Sequence, residues 1–355
     1  MEVLLKKINP QEWENVLTQL NSKNLLFQSL SWHQVLIEAY GFEIDYYAAI
    51  DVNETNGNVI GAIAICQIIS PQGIKYVSLP FSDYAGIIGI NSESILTTVI
   101  ALQNLVNGEK LIVRASGEQI SSLESQAEVI REGYLHYIDL TQTEEALLSQ
   151  LSKGFCGAVR QAEKFGVIVK FDDSEAAFQR FWSIHAQLRR HKFNEIPQSR
   201  HFFDCLFTEF ALKGKGGIVE AWHGDRCIAG ILYLIVGDRV YYKFAASLAD
   251  ALEIRPNNLL LWQSILEFRR QGFLRYELGL TGGSDAYAGL RFYKLSSGAV
   301  EIPLKFLAFN HSSDSLEAQS WQKFMQNLTN AIAQDPEITE NSLNNLSRAI
   351  YQWLA

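Results

Sequence analysis

Arg226-Cys-Ile-Ala-Gly-Ile-Leu-Tyr-Leu-Ile-Val236, then Gly237-Asp238, then Arg239-Val-Tyr-Tyr-Lys-Phe-Ala-Ala-Ser247 is the stretch on which the reading of this chain turns. Gly-Asp between two runs of β-branched and aromatic residues signals a hairpin. After Arg255-Pro256-Asn257, the residues Leu261, Ile265 and Phe268, with Leu259, Trp262 and Leu266 beside them, keep the spacing of a core-facing helix. Asn257 or Asn258 is the expected cap and Gly272 the stop. A strand at 274–280 then runs into Thr281-Gly-Gly-Ser-Asp285, followed by a loop ending at Phe292-Tyr293-Lys294.

Working outward, the same order occurs earlier. Segments 46–51 and 59–69 read as strands around a polar turn at Asn56-Gly57. A third run from Ile74 loses strand character at Pro80, a helix covers 92–106, and 110–116 is a strand. Taking Gly61 and Gly230 as corresponding positions, we read a duplicated domain; two unrelated α/β domains of similar order are the alternative. The flanks read as helices at 11–40, 143–164 and 175–191, strands at 167–171 and 299–309, and two last helices separated by Asp335-Pro336. The expected division is 1–142, 143–310 and a helical extension 311–355 packed on the first unit. The class is α/β (α+β).

Composition narrows the function. At 355 residues, with 48 % hydrophobic and 19 % charged, the chain can bury two cores. Its net charge of −9 argues against broad nucleic-acid binding and DNA. The 143–164 helix is locally basic all the same, through Lys153, Arg160 and Lys164. The 4 cysteines lack CxxC spacing and the 7 histidines form no HxxxH or HxH pair, so a reduced cytosolic protein without a metal is expected. The N-terminus is too charged for a signal peptide, no apolar run reaches a membrane span, and Asn53-Glu-Thr55 carries no glycosylation meaning. G-x-S-x-G, Walker A and strand-following G-x-G-x-x-G patterns are missing. Cys156 reads as a packing residue more readily than a nucleophile, and His185 as a core residue. Arg189-Arg-His-Lys192 reads as a solvated helix end or an anion-facing one.

Five segments in order, Phe27-Gln-Ser-Leu-Ser-Trp32, Val77-Ser-Leu-Pro-Phe-Ser-Asp-Tyr84, Val159-Arg-Gln-Ala-Glu-Lys-Phe-Gly-Val167, Arg255-Pro-Asn-Asn258 and Leu290-Arg-Phe-Tyr-Lys294, resemble the motifs of the FemAB-like family. These are the peptidoglycan-bridge aminoacyltransferases, or methicillin-resistance-type proteins. The resemblance implies two tandem GNAT-like (N-acyltransferase-like) domains and transfer of an aminoacyl group, typically from aminoacyl-tRNA, to an amine on a cell-wall precursor. It implies that Lys294 stabilises the oxyanion formed when an amine attacks an ester or thioester. A solvated strand-end lysine is the alternative. Asp83 would orient or deprotonate the amine, though it is equally readable as a turn residue after Pro80. Arg160 would hold an acceptor phosphate, a task suited to guanidinium. Tyr84, Tyr242, Asn258 and Tyr293 would line the cleft. The chain departs from the family pattern at Leu36, where some members carry a phosphate-binding lysine, and at Tyr293, where phenylalanine is usual. It also lacks a long charged heptad arm. A small-molecule or lipid-linked amine other than a nucleotide-linked muropeptide is therefore open as acceptor.

The donor can be argued from physics. GNAT enzymes hold CoA pyrophosphate on a [QR]-x-x-G-x-[GA] loop at a helix N-terminus. Here the two loops in that place are Ser247-Leu-Ala-Asp-Ala-Leu-Glu-Ile-Arg-Pro-Asn257 and Ser82-Asp-Tyr-Ala-Gly-Ile-Ile-Gly89. Neither fits, so acyl-CoA is the less expected donor and aminoacyl-tRNA the more expected. An acyl-CoA or carrier-dependent N-acyltransferase of exopolysaccharide assembly and a catalytically silent binding protein remain the alternatives.

Overall fold

The computed structural model describes residues 2–53, 57–310, 316–335 and 337–353. Asn56 of the first polar turn, Thr55 and Pro336 lie outside them. The first half runs β1 (Val3–Ile8), α1 (Pro10–Gln19), α2 (Leu30–Tyr40), β2 (Ile44–Asp51), β3 (Val59–Ser70), β4 (Gly73–Val77), β5 (Ile88–Gly89), α3 (Ser92–Leu105), β6 (Lys110–Ser116), α4 (Glu118–Leu123) and β7 (Glu128–Asp139). The second runs α5 (Glu144–Gln150), α6 (Lys153–Lys164), β8 (Ile168–Asp172), α7 (Glu175–Phe193), α8 (Arg200–Glu209), β9 (Gly216–His223), β10 (Arg226–Val236), β11 (Arg239–Ser247), α9 (Pro256–Arg270), β12 (Arg275–Gly282), α10 (Ala288–Ser296) and β13 (Val300–Phe309). The chain ends in α11 (Leu316–Gln334) and α12 (Glu340–Tyr351).

Twelve of the strands form one path, β1-β2-β3-β4-β6-β13-β7-β12-β11-β10-β9-β8, with β5 paired to β3. Each half contributes an antiparallel meander that ends in a parallel pair joined by a crossover helix: β4–α3–β6 and β11–α9–β12. The final strands are exchanged. β13, from the second half, pairs with β6, while β7, from the first, pairs with β12. Each half thus completes the other's sheet, and β7 and β13 lie side by side at the centre.

The duplication is borne out in this topology, but its glycine anchor is not. Gly61 and Gly230 do lie on corresponding strands, β3 and β10. A Cβ on Gly61 would meet Thr98 of α3, whereas one on Gly230 would meet Phe181 of α7. The helix that corresponds to α3 is α9, so the two glycines face opposite sides of the sheet. Each allows a close helix approach, at a different place.

Other local expectations change for physical reasons. The 143–164 helix is two helices, because Ser152 is extended and its side chain accepts the Phe155 N–H to cap α6. The cap of α9 is Arg255, with φ 58, and Pro256 takes the first helical position. Lys294 lies in α10 rather than at the end of a loop. That helix is hard to see in sequence because Leu290, Phe292 and Leu295 point outward and the buried residue is a lysine. Segments left unassigned, β1, β7, α8 and β9 among them, are regular.

Helices α1, α2, α7 and α8 pack together on one face, so one core joins Trp13 and Trp32 of the first half to Phe181 and Phe202 of the second. Helix α12 also touches both halves. Tyr351 stacks on Tyr40 at 5.8 Å and donates its hydroxyl to the Ile196 carbonyl at 2.9 Å. Arg190, from the basic run, donates to the Ala333 carbonyl at the end of α11. All four cysteines are unpaired, and His185 is buried against Gln198 at 2.8 Å.

Candidate functional site

The site begins where a parallel pair stops pairing. Strands β11 and β12 share rungs only as far as Tyr241 opposite Glu277, after which they splay. A bulge follows in β12 between Glu277 and Gly279, and Gly279 takes φ 72. The splay takes the β11 partner away from Gly279 and Leu280, which still pair with His136 and Leu135 of β7 on the other side, and buried carbonyls need donors. Lys294 supplies them: its Nζ donates to Gly279 at 3.0 Å and Leu280 at 3.1 Å. The side chain is 4 % exposed. Burial lowers its pKa to about 8, and the charge of Asp83 opposes that fall.

Asp83 arrives from the first half, on the loop that follows β4. Non-glycine residues Leu79 and Phe81 in this loop have φ 59 and 52, a conformation that persists only where surroundings enforce it. Here they do. Trp32 donates to Ser82 Oγ at 2.9 Å, Lys243 to the Phe81 carbonyl at 3.2 Å, and Gln28 to the Gly86 carbonyl at 3.2 Å. Arg114 donates to the carbonyls of Ser78 and Leu79. So held, Asp83 lies over Gly279, where a Cβ would come within 2.7 Å of its Oδ2. Its Oδ1 accepts from Lys243 at 3.2 Å. Lys243 is boxed by the rings of Phe27 and Trp32, each 4.8 Å from its Nζ. One carboxylate thus faces three buried cations, Lys243, Lys294 and Arg114. The local excess of positive charge favours an incoming or developing anion.

These groups border a cavity of about 410 Å³ lined from both halves, by Asp83, Tyr84, Ser116 and His136 of the first and by Arg239, Tyr242, Lys243 and Glu277 of the second, among others. Burial raises the pKa of Tyr84 to about 12 and that of Tyr242 higher still, so both are neutral phenols. Arg239 and Arg275 grip Glu277 at 3.0 and 2.7 Å on one wall. His136, 0 % exposed, contacts Glu301 Oε2 through Nε2 at 3.0 Å.

Of the residues singled out in the sequence, Asp83, Tyr84 and Tyr242 line this cavity, and Lys294 binds Gly279 in its wall. Tyr293 lies one layer back, its hydroxyl donating to the Asn257 carbonyl at 2.8 Å. Asn258 is half-buried in the first turn of α9. Neither is in the lining, and neither is Arg160, which is exposed on α6. Leu36, at the departure from the family pattern, is fully buried in the core. Sequence reasoning missed Lys243, Arg114, His136, Arg239, Arg275 and Glu277. Lys243 sits in a strand whose partner rings come from residues more than two hundred positions earlier, so no local pattern marks it. His136 lies in the unassigned β7.

The fold is that of two tandem GNAT-like units. A family model described as an acetyltransferase (GNAT) domain matches residues 152–294. Among solved structures, the chain is similar to FemX, with a TM-score of 0.64 and 13 % identity over 91 % of this chain and 99 % of that one. It is similar to L-PGS from Bacillus licheniformis, with a TM-score of 0.56 and 13 % identity over 92 % and 98 %. A tandem GNAT protein from the clavulanic acid biosynthesis pathway gives 0.54 and 10 % over 88 % and 100 %. No curated protein sequence matches. Among the described residues no group could hold a metal ion and no helix is long and apolar enough to cross a membrane.

Proposed function

We propose that this chain is an acyltransferase that moves an aminoacyl group, from aminoacyl-tRNA, to an amine on a cell-wall or extracellular-polysaccharide precursor. The observation that carries the reading is the Lys294 ammonium fixed at the splay, opposite Asp83 and beside two further cations. In this reading the amine attacks an ester carbonyl, and the negative charge that grows on oxygen is met by a donor already in place. Asp83 orients the amine, and Tyr84 and Tyr242 line its path. Tyr293 and Asn258 support the wall from behind, and Arg160 meets an anionic group outside the cavity. Residues 1–142 and 143–310 are the two units, with 311–355 as their extension.

The likeness to FemX and L-PGS supports an aminoacyl donor, and so do the two crossover loops. The first turn of α3 is already capped by the side chain of Asn91, which accepts from the Ser94 N–H. The loop before α9 is a short helix, Ala249–Ile254, whose Asp250 pairs with Arg226 at 2.7 Å. Neither offers a glycine nest for pyrophosphate. The family-model match favours acyl-CoA as the second reading. Acetyl-CoA calorimetry separates the two: binding weaker than about 1 mM, worth roughly 4 kcal/mol, is expected, and micromolar binding would promote acyl-CoA.

Lys294→Met is the direct test. Turnover should fall about 10²–10³-fold with acceptor affinity little changed, as for loss of one oxyanion donor. The melting temperature should move by a few degrees at most, since losing two carbonyl contacts is offset by removing a buried charge. Intact turnover with a much lower melting temperature would make the lysine a structural plug for the splay.

A further inference from the structure

Glu301 holds more than one partner. Arg291 grips its carboxylate with two bonds, at 2.7 and 2.6 Å, and is itself stacked over the Tyr134 ring at 3.7 Å. The carboxylate so fixed meets His136 at Nε2, 3.0 Å away. A carboxylate only accepts, so a neutral imidazole in this contact carries its hydrogen on Nε2. Its other nitrogen, Nδ1, is then a bare lone pair. That atom is fully buried, has no hydrogen-bond partner, and belongs to a residue in the cavity lining.

We propose that His136 is the catalytic base of this site, taking the proton of the attacking amine on Nδ1, with Glu301 and Arg291 as positioning residues. The inference rests on the transferase reading and reassigns one task within it. Asp83 is engaged by Lys243 at 3.2 Å and fixed over Gly279, so it holds the amine. His136 has the unengaged lone pair. The groups facing its ring are Lys294 on α10, Glu301 on β13 and the Gly279 backbone on β12; burial and then the Lys294 charge lower its pKa to about 4, against the Glu301 carboxylate and the Gly279 backbone, which raise it. It is therefore a neutral imidazole at neutral pH. In the step, the amine nitrogen bonds to the ester carbon, the C=O electron pair moves to oxygen opposite Lys294, and Nδ1 takes the proton from nitrogen. On collapse the C–O bond breaks and the imidazolium returns that proton to the departing oxygen. The products are an amide and an alcohol, with nothing oxidised or reduced.

Glutamine and alanine at 301 give an outcome that a structural role reverses. In Glu301→Gln the side-chain amide can donate to Nε2, which places the hydrogen on Nδ1 and blocks the base. Glu301→Ala removes the partner without dictating the tautomer. With bulk aminoacyl-tRNA as donor and a panel of small diamines as acceptors, amide formation is read by mass spectrometry on the full chain. Glu301→Gln should lose about 10²-fold in kcat at unchanged KM and fall below Glu301→Ala, although it is the gentler change for folding. His136→Gln should lose about 10²–10⁴-fold. Long-range ¹⁵N–¹H spectra of wild type should show Nδ1 unprotonated, a readout that needs no substrate. A protonated Nδ1 in wild type, or Glu301→Gln more active than Glu301→Ala, overturns the assignment while leaving the transferase reading in place. Retained turnover in His136→Gln beside a silent Lys294→Met does the same. A wild type silent with every donor and acceptor pair removes the reading, and this inference with it.

Discussion

Two residues past the last rung of β4 and β6 stands Arg114; two past the last rung of β11 and β12 stands Gly279. In the first half the arginine fills the gap between the diverging strands, and its guanidinium donates to the Ser78 and Leu79 carbonyls. In the second half the missing side chain leaves the gap open, and a carboxylate from the first half enters it. The same architectural opening is thus sealed in one copy and used in the other. The seal also serves the opening, because the carbonyls that Arg114 holds belong to the loop that carries Asp83. In the proposed site, the first half supplies the support and the second the opening.

The largest effect should come from unsealing the first splay. Arg114→Met keeps an apolar stem but leaves two buried carbonyls without a donor and releases the left-handed turn at Leu79. Removing one member of a buried, hydrogen-bonded charge arrangement costs about 3–5 kcal/mol, so denaturant unfolding should show a loss of that size, along with activity. A variant as stable as wild type would mean that the seal is passive filling and that the two copies differ less than their geometry suggests.

Closing the second splay is the converse. Gly279→Ala puts a methyl group within 2.7 Å of Asp83 Oδ2 at a residue with φ 72. The backbone term is about 1–2 kcal/mol, visible as a modest loss of melting temperature. Displacing Asp83 by about 1 Å should cost about 10²-fold in turnover. Full activity in this variant would separate Asp83 from the chemistry.

Much of this framework could be read from the chain. The hairpin 226–247, the helix after it and the matching elements of the first half follow from strand composition and helical periodicity, and each needs only local information. Asp83 and Lys294 came from segments that resemble a family, with no physical pattern to mark them. The exchange of β7 and β13 left no trace, because nothing in a strand's composition says which of two equivalent edges it joins. The first residues of β7, Glu128 to Glu132, are mostly exposed and charged, so composition does not mark that strand, nor His136 within it. The pairing of Arg114 with Gly279 as counterparts depends on register in a sheet that only the folded chain defines.

The two splays should also answer differently to pH. Burial lowers Arg114 to about 10 and Lys294 to about 8. If the ammonium of Lys294 is the working form, turnover should decline as pH rises through about 8, toward tenfold per unit above it. Stability should not follow. The folded-state pKa is below the ordinary lysine value, so between about 8 and 10.4 the unfolded chain binds more protons, and this group makes stability rise with pH. A melting temperature falling in step with turnover above pH 8 would point to unfolding of the site and not to its titration.

The smallest effect concerns a surface outside both splays. Lys153, Arg160 and Lys164 are exposed on α6, spaced seven and then four residues apart, so they share the face opposite buried Phe155, Val159 and Ala162. In a chain of net charge −9 such a stripe is where a polyanionic donor would touch. None of the three lines the cavity, so small acceptors should not sense the stripe. Arg160→Ala should leave stability within about 0.5 kcal/mol and the KM for a small amine within about twofold, a difference too small to assign to a direct contact. Binding of bulk tRNA should weaken slightly, and the slope of log K against log salt should drop by about 0.7–0.9, the signature of one lost phosphate contact. An unchanged slope would remove α6 from the donor path, whereas a raised KM for the small amine would bring Arg160 into the acceptor site and enlarge the site beyond the second splay.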